Sequence, residues 1–146
     1  MSVVELEINV PQAKLAELYT APDLFTEWMD DVERCEPLSG DGRAPGSTFR
    51  LVPKKGNMIF VGRIVAMDLP HRAQLILDAE SVSVSVTGTL VKLSDLTTKL
   101  VSEEVFTFKG LFHTLFGFLA QRAIKRAHRT HMESFKRFAE RAVCNR

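Results

Sequence analysis

The sequence predicts an α+β fold in which a curved antiparallel sheet of about seven strands wraps around one long C-terminal helix. Three observations support this prediction. Residues 47–108 alternate apolar and polar side chains in segments that short polar turns separate, as in an antiparallel meander. Residues 111–143 contain no proline and are amphipathic with helical spacing. One strand and two short helices precede the meander.

The secondary structure of the N-terminal part is predicted from alternating apolar and polar side chains and from the positions of proline. In residues 2–10, apolar side chains from Val4 to Val10 alternate with polar ones, which predicts a strand. Pro11 ends that strand and suits the first turn of a helix over 12–20. A second short helix is expected to end near Trp28. A brief strand over 32–36 then leads into a loop over 37–46 that is rich in Gly and Pro.

The meander and the final helix divide the rest of the chain. Strands are expected over 48–52, 58–68, 72–78, 82–87 and 96–108. In the helix, one face carries Ala120, Ile124, Ala127, His131, Phe135, Phe138 and Ala142, and the opposite face is rich in Arg and Lys. The first half of the inner face has mostly small side chains. Such a face either packs tightly on the sheet or leaves a space beneath it, and the residues alone leave both readings open.

Composition limits the classes of function. The 146 residues suit a single domain, 1–146, and 19 basic residues against 18 acidic ones give no global attraction to nucleic acid. No stretch is long and apolar enough for a transmembrane segment, and the N-terminus lacks a signal peptide. Cys35 and Cys144 lie far apart, which favours free thiols and a cytoplasmic location. The sequence predicts no metal site and no cofactor.

If a space lies beneath the helix, its walls can be named. The helix side would carry His113, Gly117, Ala120, Ile124 and His131, and the sheet side Phe49, Met58, Phe60, Val84, Val86 and Phe106. Trp28 and Tyr19 are expected near the mouth, although core packing explains them equally well.

Few polar groups are candidates for chemistry in that space. Glu104 shares strand parity with Phe106 and is expected to face inward, where burial would raise its pKa and suit it to acid–base catalysis. His131 is the best candidate for a polar contact with a ligand, and the only catalytic candidates are His131 and Glu104. The i, i+3 spacing of His128 and His131 is compatible with a metal, but no acid shares their face, so structural roles are favoured. Asp31 is expected to lie in a loop without a partner.

Four motifs in order carry a resemblance over nearly the whole chain. They are Ala21-Pro22-Asp23-Leu24-Phe25-Thr26-Glu27-Trp28, Pro45-Gly46-Ser47-Thr48-Phe49, Met67-Asp68-Leu69-Pro70-His71-Arg72-Ala73 and Glu104-Val105-Phe106-Thr107-Phe108-Lys109-Gly110-Leu111-Phe112. With the order of elements, they make the chain resemble the START/Bet v1-like superfamily, in its polyketide cyclase/dehydrase and lipid-transport group. The resemblance implies a helix-grip fold and an enclosed space between helix and sheet. Phe106 stands where such relatives often carry a polar or charged residue.

Three hypotheses on function follow. The first is a carrier or sensor that binds a small hydrophobic or amphipathic molecule. The second is a cyclase- or dehydrase-like enzyme that uses the same space. The third is an interaction module, or a homodimer, that uses an apolar patch around Leu115 and Phe118. The basic face of the helix is interpreted as a solvated surface, because Glu133 and Glu140 interrupt it.

Overall fold

The computed structural model describes residues 1–110 and 120–144 with their side chains, and the helical backbone of 113–119. Seven strands form one antiparallel sheet in the order β1-β7-β6-β5-β4-β3-β2. The strands are β1 (Ser2–Ile8), β2 (Val32–Ser39), β3 (Thr48–Pro53), β4 (Phe60–Asp68), β5 (Arg72–Asp78), β6 (Val82–Lys92) and β7 (Thr98–Phe108). Consecutive strands pair from β2 to β7, and β1 pairs with β7.

Three helices accompany the sheet. They are α1 (Gln12–Tyr19), α2 (Phe25–Trp28) and α3 (His113–Cys144), and a 3-10 turn at Pro22–Leu24 leads directly into α2. The predicted fold class is confirmed: two short helices follow the first strand, and one long helix follows an antiparallel sheet.

Strand β2 is longer than the sequence predicts, because it continues through Pro37 to Ser39. Proline lacks an N–H group, but β2 is an edge strand that pairs only with β3, so a ladder can tolerate it. The register of β2 against β3 shifts between Pro37 and Ser39, and the hydroxyls of Ser39 and Thr48 then lie 2.6 Å apart.

Helix α3 buries part of the predicted inner face, since Phe135 is fully buried and Phe138 packs against the core, but its most buried row is shifted to one side. His128, Met132, Phe135 and Ala139 are buried, whereas Ala127, which was expected on the inner face, is exposed. The helix therefore faces the sheet through a neighbouring row of residues. Met132, Phe135 and Ala139 pack in a core with side chains from β1, α1, β6 and β7, among them Ile8, Leu15, Leu90 and Leu100.

The position of α3 across the sheet determines where free space remains. The helix packs mainly on β1 and less on β7. It therefore covers one side of the sheet, and the inner surface of the strands from β3 to β6 extends beyond it. Two inner glycines let aromatic rings lie flat on this surface: a Cβ atom at Gly62 would overlap the ring of Phe49, and one at Gly88 would overlap Tyr19.

A candidate ligand cavity beneath the C-terminal helix

A cavity of about 290 Å³ lies between the sheet, α2 and the middle of α3. Its wall includes ten of the residues that the sequence singled out, namely Trp28, Phe49, Met58, Phe60, Val84, Val86, Glu104, Phe106, Ile124 and His131. The cavity reaches the surface where Met58, 47% exposed, and Ala127 form part of its wall. Together with Asp31, these are the exposed residues of the wall, and we call the side of the cavity that they form the cavity mouth.

The other three residues predicted to line the cavity are not found in its described wall. Ala120 is half-buried but is not part of the cavity wall. It lies more than a turn before Ile124, the first described residue of α3 that reaches the cavity. The side chains of His113 and Gly117 lie outside the described residues.

The structure adds wall residues that sequence reasoning missed. They come mainly from the inner face of β3, β4 and β5 and from α2, and include Phe25, Met29, Leu51, Ile64, Met67, Leu75 and Leu77. Their apolar alternation was visible in the sequence. Which of them would reach a cavity depended on how far α3 lies toward β1.

Aromatic rings line the inner end of the cavity near α2. The ring centroids of Trp28 and Phe135 are 5.0 Å apart in an edge-to-face arrangement, and those of Phe25 and Phe49 are 5.6 Å apart. Trp28 is 3% exposed, so it belongs to the cavity wall and to the core rather than to an open mouth. Its Nε1 atom is buried and makes no hydrogen bond with any described residue.

Glu104 brings a carboxyl group into this apolar wall. It faces inward from β7, as strand parity predicted, while its neighbour Glu103 is exposed. Its side chain is 15% exposed, and among described residues its nearest ionisable partner is His128, whose Nε2 atom lies 3.7 Å from Oε2. That separation is too long for a hydrogen bond. Burial raises the pKa of Glu104 to about 7, so the protonated and the ionised forms of its carboxyl group are both populated near neutral pH.

His128 is fully buried, and both of its ring nitrogens are hydrogen-bonded. Nδ1 lies 2.8 Å from the Ser2 hydroxyl of β1, and Nε2 lies 2.9 Å from the Ser102 hydroxyl of β7. A neutral imidazole has one donor and one acceptor, so one serine donates to it while the other accepts. Burial lowers the pKa of His128 to about 4. His128 is therefore a neutral structural residue that joins α3 to two strands.

His131 has a partner that the sequence did not reveal. Its Nε2 atom lies 3.2 Å from Oδ1 of Asp31, in the loop after α2. The expectation that Asp31 has no partner was wrong, because the fold brings that loop against α3. The hydrogen bond raises the pKa of His131 and lowers that of Asp31. The pair lies beside the cavity, and His131 is close enough to Glu104 to oppose the rise in the pKa of Glu104.

Similarity to known proteins is found in structure rather than in sequence. No family model matches the chain, and no curated protein matches it significantly. Among solved structures, the Zhui aromatase/cyclase from Streptomyces sp. R1128 is similar, with a TM-score of 0.81, 14% identity, and coverage of 97% of this chain and 93% of that one. A START superfamily protein from Mycobacterium smegmatis has a TM-score of 0.74, 13% identity, and coverage of 98% and 96%.

A third similar structure is norcoclaurine synthase from Thalictrum flavum in complex with dopamine and hydroxybenzaldehyde. Its TM-score is 0.67 at 16% identity, with coverage of 93% of this chain and 83% of that one. The chain has the START/Bet v1-like fold. The resemblance that the four motifs indicated is thus confirmed at the level of architecture. At these identities the START/Bet v1-like fold implies no particular ligand or reaction.

Two further observations concern the described part of the chain. Within residues 1–110 and 120–144, no three or more His, Cys, Asp or Glu side chains cluster in a way that could hold a metal ion. No described helix combines the length and the apolar character that crossing a membrane requires.

Proposed function

We propose that the protein binds a small hydrophobic or amphipathic molecule in the cavity beneath α3. The observation that supports this proposal is the cavity itself, about 290 Å³ in volume, with a wall that is apolar except for a few groups such as Glu104 and His131. Well-packed interiors leave few voids larger than a water molecule. A mainly apolar wall favours a ligand whose own surface is mainly apolar, since burial contributes about 25 cal/mol per Å².

Polar selection would come from Glu104 and from the Asp31–His131 pair. A protonated Glu104 can donate one hydrogen bond and accept another, which suits a hydroxyl or carbonyl group on the ligand. When Glu104 is ionised, a ligand that excludes water from the carboxylate without offering hydrogen bonds in return binds less tightly, because desolvation of the charge costs free energy. We therefore expect affinity for an uncharged apolar probe to fall as pH rises from 6 to 8, and the Glu104→Gln variant to lose this dependence.

The decisive experiment combines native mass spectrometry of the purified protein with titration of a fluorescent apolar probe. Val86 lines the cavity, and Thr87 is its neighbour in β6, on the opposite face of the sheet. Val86→Phe should fill part of the cavity and weaken probe binding at least about tenfold, because lost volume removes buried ligand surface. Thr87→Phe is the matched control and should bind as the natural protein does. No probe binding, or equal loss in both variants, would reject the proposal.

A second candidate function is acid–base catalysis in the same cavity. It is favoured by Glu104, whose pKa is about 7, and by His131, whose ring Asp31 orients. Deuterium uptake beside the carbonyl of an aryl ketone probe, followed by NMR, tests this candidate. The protein should accelerate uptake and Glu104→Gln should abolish the acceleration. Equal rates with both proteins would leave binding as the function.

The oligomeric state, the domain organisation and the cellular location are predictions from the sequence. A homodimer through Leu115 and Phe118 depends on side chains outside the described residues, and sedimentation of a variant with Asp at both positions would test it. The single-domain and cytoplasmic assignments are supported by composition alone.

A further inference from the structure

We propose that the end of the molecule that carries the cavity mouth docks on anionic lipid membranes. The proposed contact surface consists of the tip of the β3–β4 loop (residues 54–59) together with three basic residues of α3, Arg122, Lys125 and Arg126. This inference concerns a surface and not the cavity interior, so it can fail while ligand binding holds.

The β3–β4 loop has the composition of a membrane-inserting tip. All six of its residues are exposed, and two consecutive apolar side chains, Met58 and Ile59, are 47% and 45% exposed. Lys54 and Lys55 precede them and form no ion pair within 4 Å with any described residue. Such a combination of apolar side chains and adjacent cations binds the boundary between lipid head groups and acyl chains. The main-chain N–H of Lys54 donates to the carbonyl of Asp31 at 2.9 Å, which anchors the base of the loop.

The loop lies at the cavity mouth and beside the first half of α3. Met58 contributes to the cavity wall, as do Ile124 and Ala127 of α3. Strand β7 ends beside the start of β6, at the same end of the sheet as this loop, and α3 follows β7. A surface laid across this end would therefore meet the loop and the opening together. An apolar ligand could then pass between the cavity and a bilayer with little exposure to water.

Charge on α3 complements an anionic surface. Arg122, Lys125 and Arg126 are exposed on the outer side of the turns that carry Ile124 and Ala127, and they form no ion pair with described residues. The sequence contains no acidic residue between Glu104 and Glu133. Of the acids near this end, Asp78 bonds Lys109 at 2.6 Å and Asp31 bonds His131. Three others, Asp30, Glu33 and Glu80, are exposed and form no ion pair with described residues, so they offset part but not all of the charge of the five cations. The local excess of positive charge is hidden by a net charge of +1.

The test is co-sedimentation of the full chain with vesicles of phosphatidylcholine alone and of phosphatidylcholine with phosphatidylglycerol. We expect binding to the mixed vesicles, weakened by salt. Lys54→Glu combined with Lys55→Glu should weaken it by about fivefold or more per lysine. Ile59→Ser should weaken it roughly three- to tenfold through lost apolar burial.

Matched controls lie at the opposite end of the sheet. Leu96, 71% exposed in the β6–β7 turn, is the control for Ile59. Charge reversal at Arg72 and Arg141, both exposed and without an ion pair to described residues, is the control for the two lysines. These variants should bind vesicles as the natural protein does. No binding to mixed vesicles, or equal losses at both ends, would overturn the proposal. The proposal would also be overturned if the double lysine variant bound mixed vesicles as the natural protein does. The same holds if that variant lost binding to RNA and not to lipid. The double lysine variant should still bind the apolar probe, which separates this outcome from failure of the cavity proposal.

Discussion

The buried carboxyl group of Glu104 makes a quantitative prediction for stability. Its pKa is raised from 4.5 to about 7 in the folded protein because burial disfavours the charged form. The folded state therefore binds a proton more tightly than the unfolded state does. The contribution of Glu104 to the free energy of unfolding is fully present below pH 4.5 and is lost as pH rises through 7. The 2.5-unit difference corresponds to about 3 kcal/mol between these limits.

His128 titrates in the opposite sense and has to be separated from this effect. Its pKa is lowered from 6.5 to about 4, so its contribution to stability is present above pH 6.5 and is lost as pH falls through 4. The pH profile of the natural protein alone therefore mixes these two opposing slopes with that of His131, whose pKa is raised. A comparison with Glu104→Gln removes the carboxyl titration and retains that of His128.

The assay is urea unfolding, followed by Trp28 fluorescence, of both proteins from pH 4.5 to pH 8.5. We expect the free energy of unfolding of Glu104→Gln, relative to the natural protein, to increase by about 3 kcal/mol across this range. Most of the change should occur between pH 5 and pH 7.5. A difference that stays constant to within about 0.5 kcal/mol would refute the raised pKa, and with it the picture of a carboxyl group enclosed by an apolar wall.

Three further predictions concern packing and pairing. Gly88→Ala places a methyl group into the ring of Tyr19 and should lower the free energy of unfolding by about 1–3 kcal/mol in a denaturant titration. Asp31→Asn removes the hydrogen-bonded carboxylate and should lower the pKa of His131, which an NMR titration of the imidazole would detect; an unchanged pKa would contradict the pair. Thr98→Val leaves a buried main-chain carbonyl without its 2.8 Å donor and should cost about 1–3 kcal/mol by thermal or chemical unfolding.

The sequence was sufficient for features that depend on local periodicity. Alternation placed the strands, and the inward orientation of Glu104 follows from its parity with Phe106, since successive side chains of a strand face opposite ways. The absence of proline from the last stretch was enough to predict one continuous helix. Ten of the thirteen named cavity candidates came from such patterns and line the observed cavity.

Features that depend on tertiary placement could not be read from the sequence. The rows of α3 that begin at Ala127 and at His128 both have helical spacing, and only contact with β1 decides which of them is buried. The Asp31–His131 pair joins residues that are 100 positions apart, and no local pattern connects them. The extension of β2 through Pro37 required knowledge that β2 is an edge strand.

The pairing of β1 with β7 has a consequence for synthesis of the chain. Ser2 lies opposite Glu104, and Ile8 opposite Thr98, so β1 stays unpaired until β7, the last of the described strands, has been synthesised. Until then the growing chain exposes an unpaired apolar segment, and helix α3, which packs on β1, is not yet available. Contacts of such long sequence separation slow folding. Pairing of β1 and its packing against α3 are therefore late events in the folding of this domain.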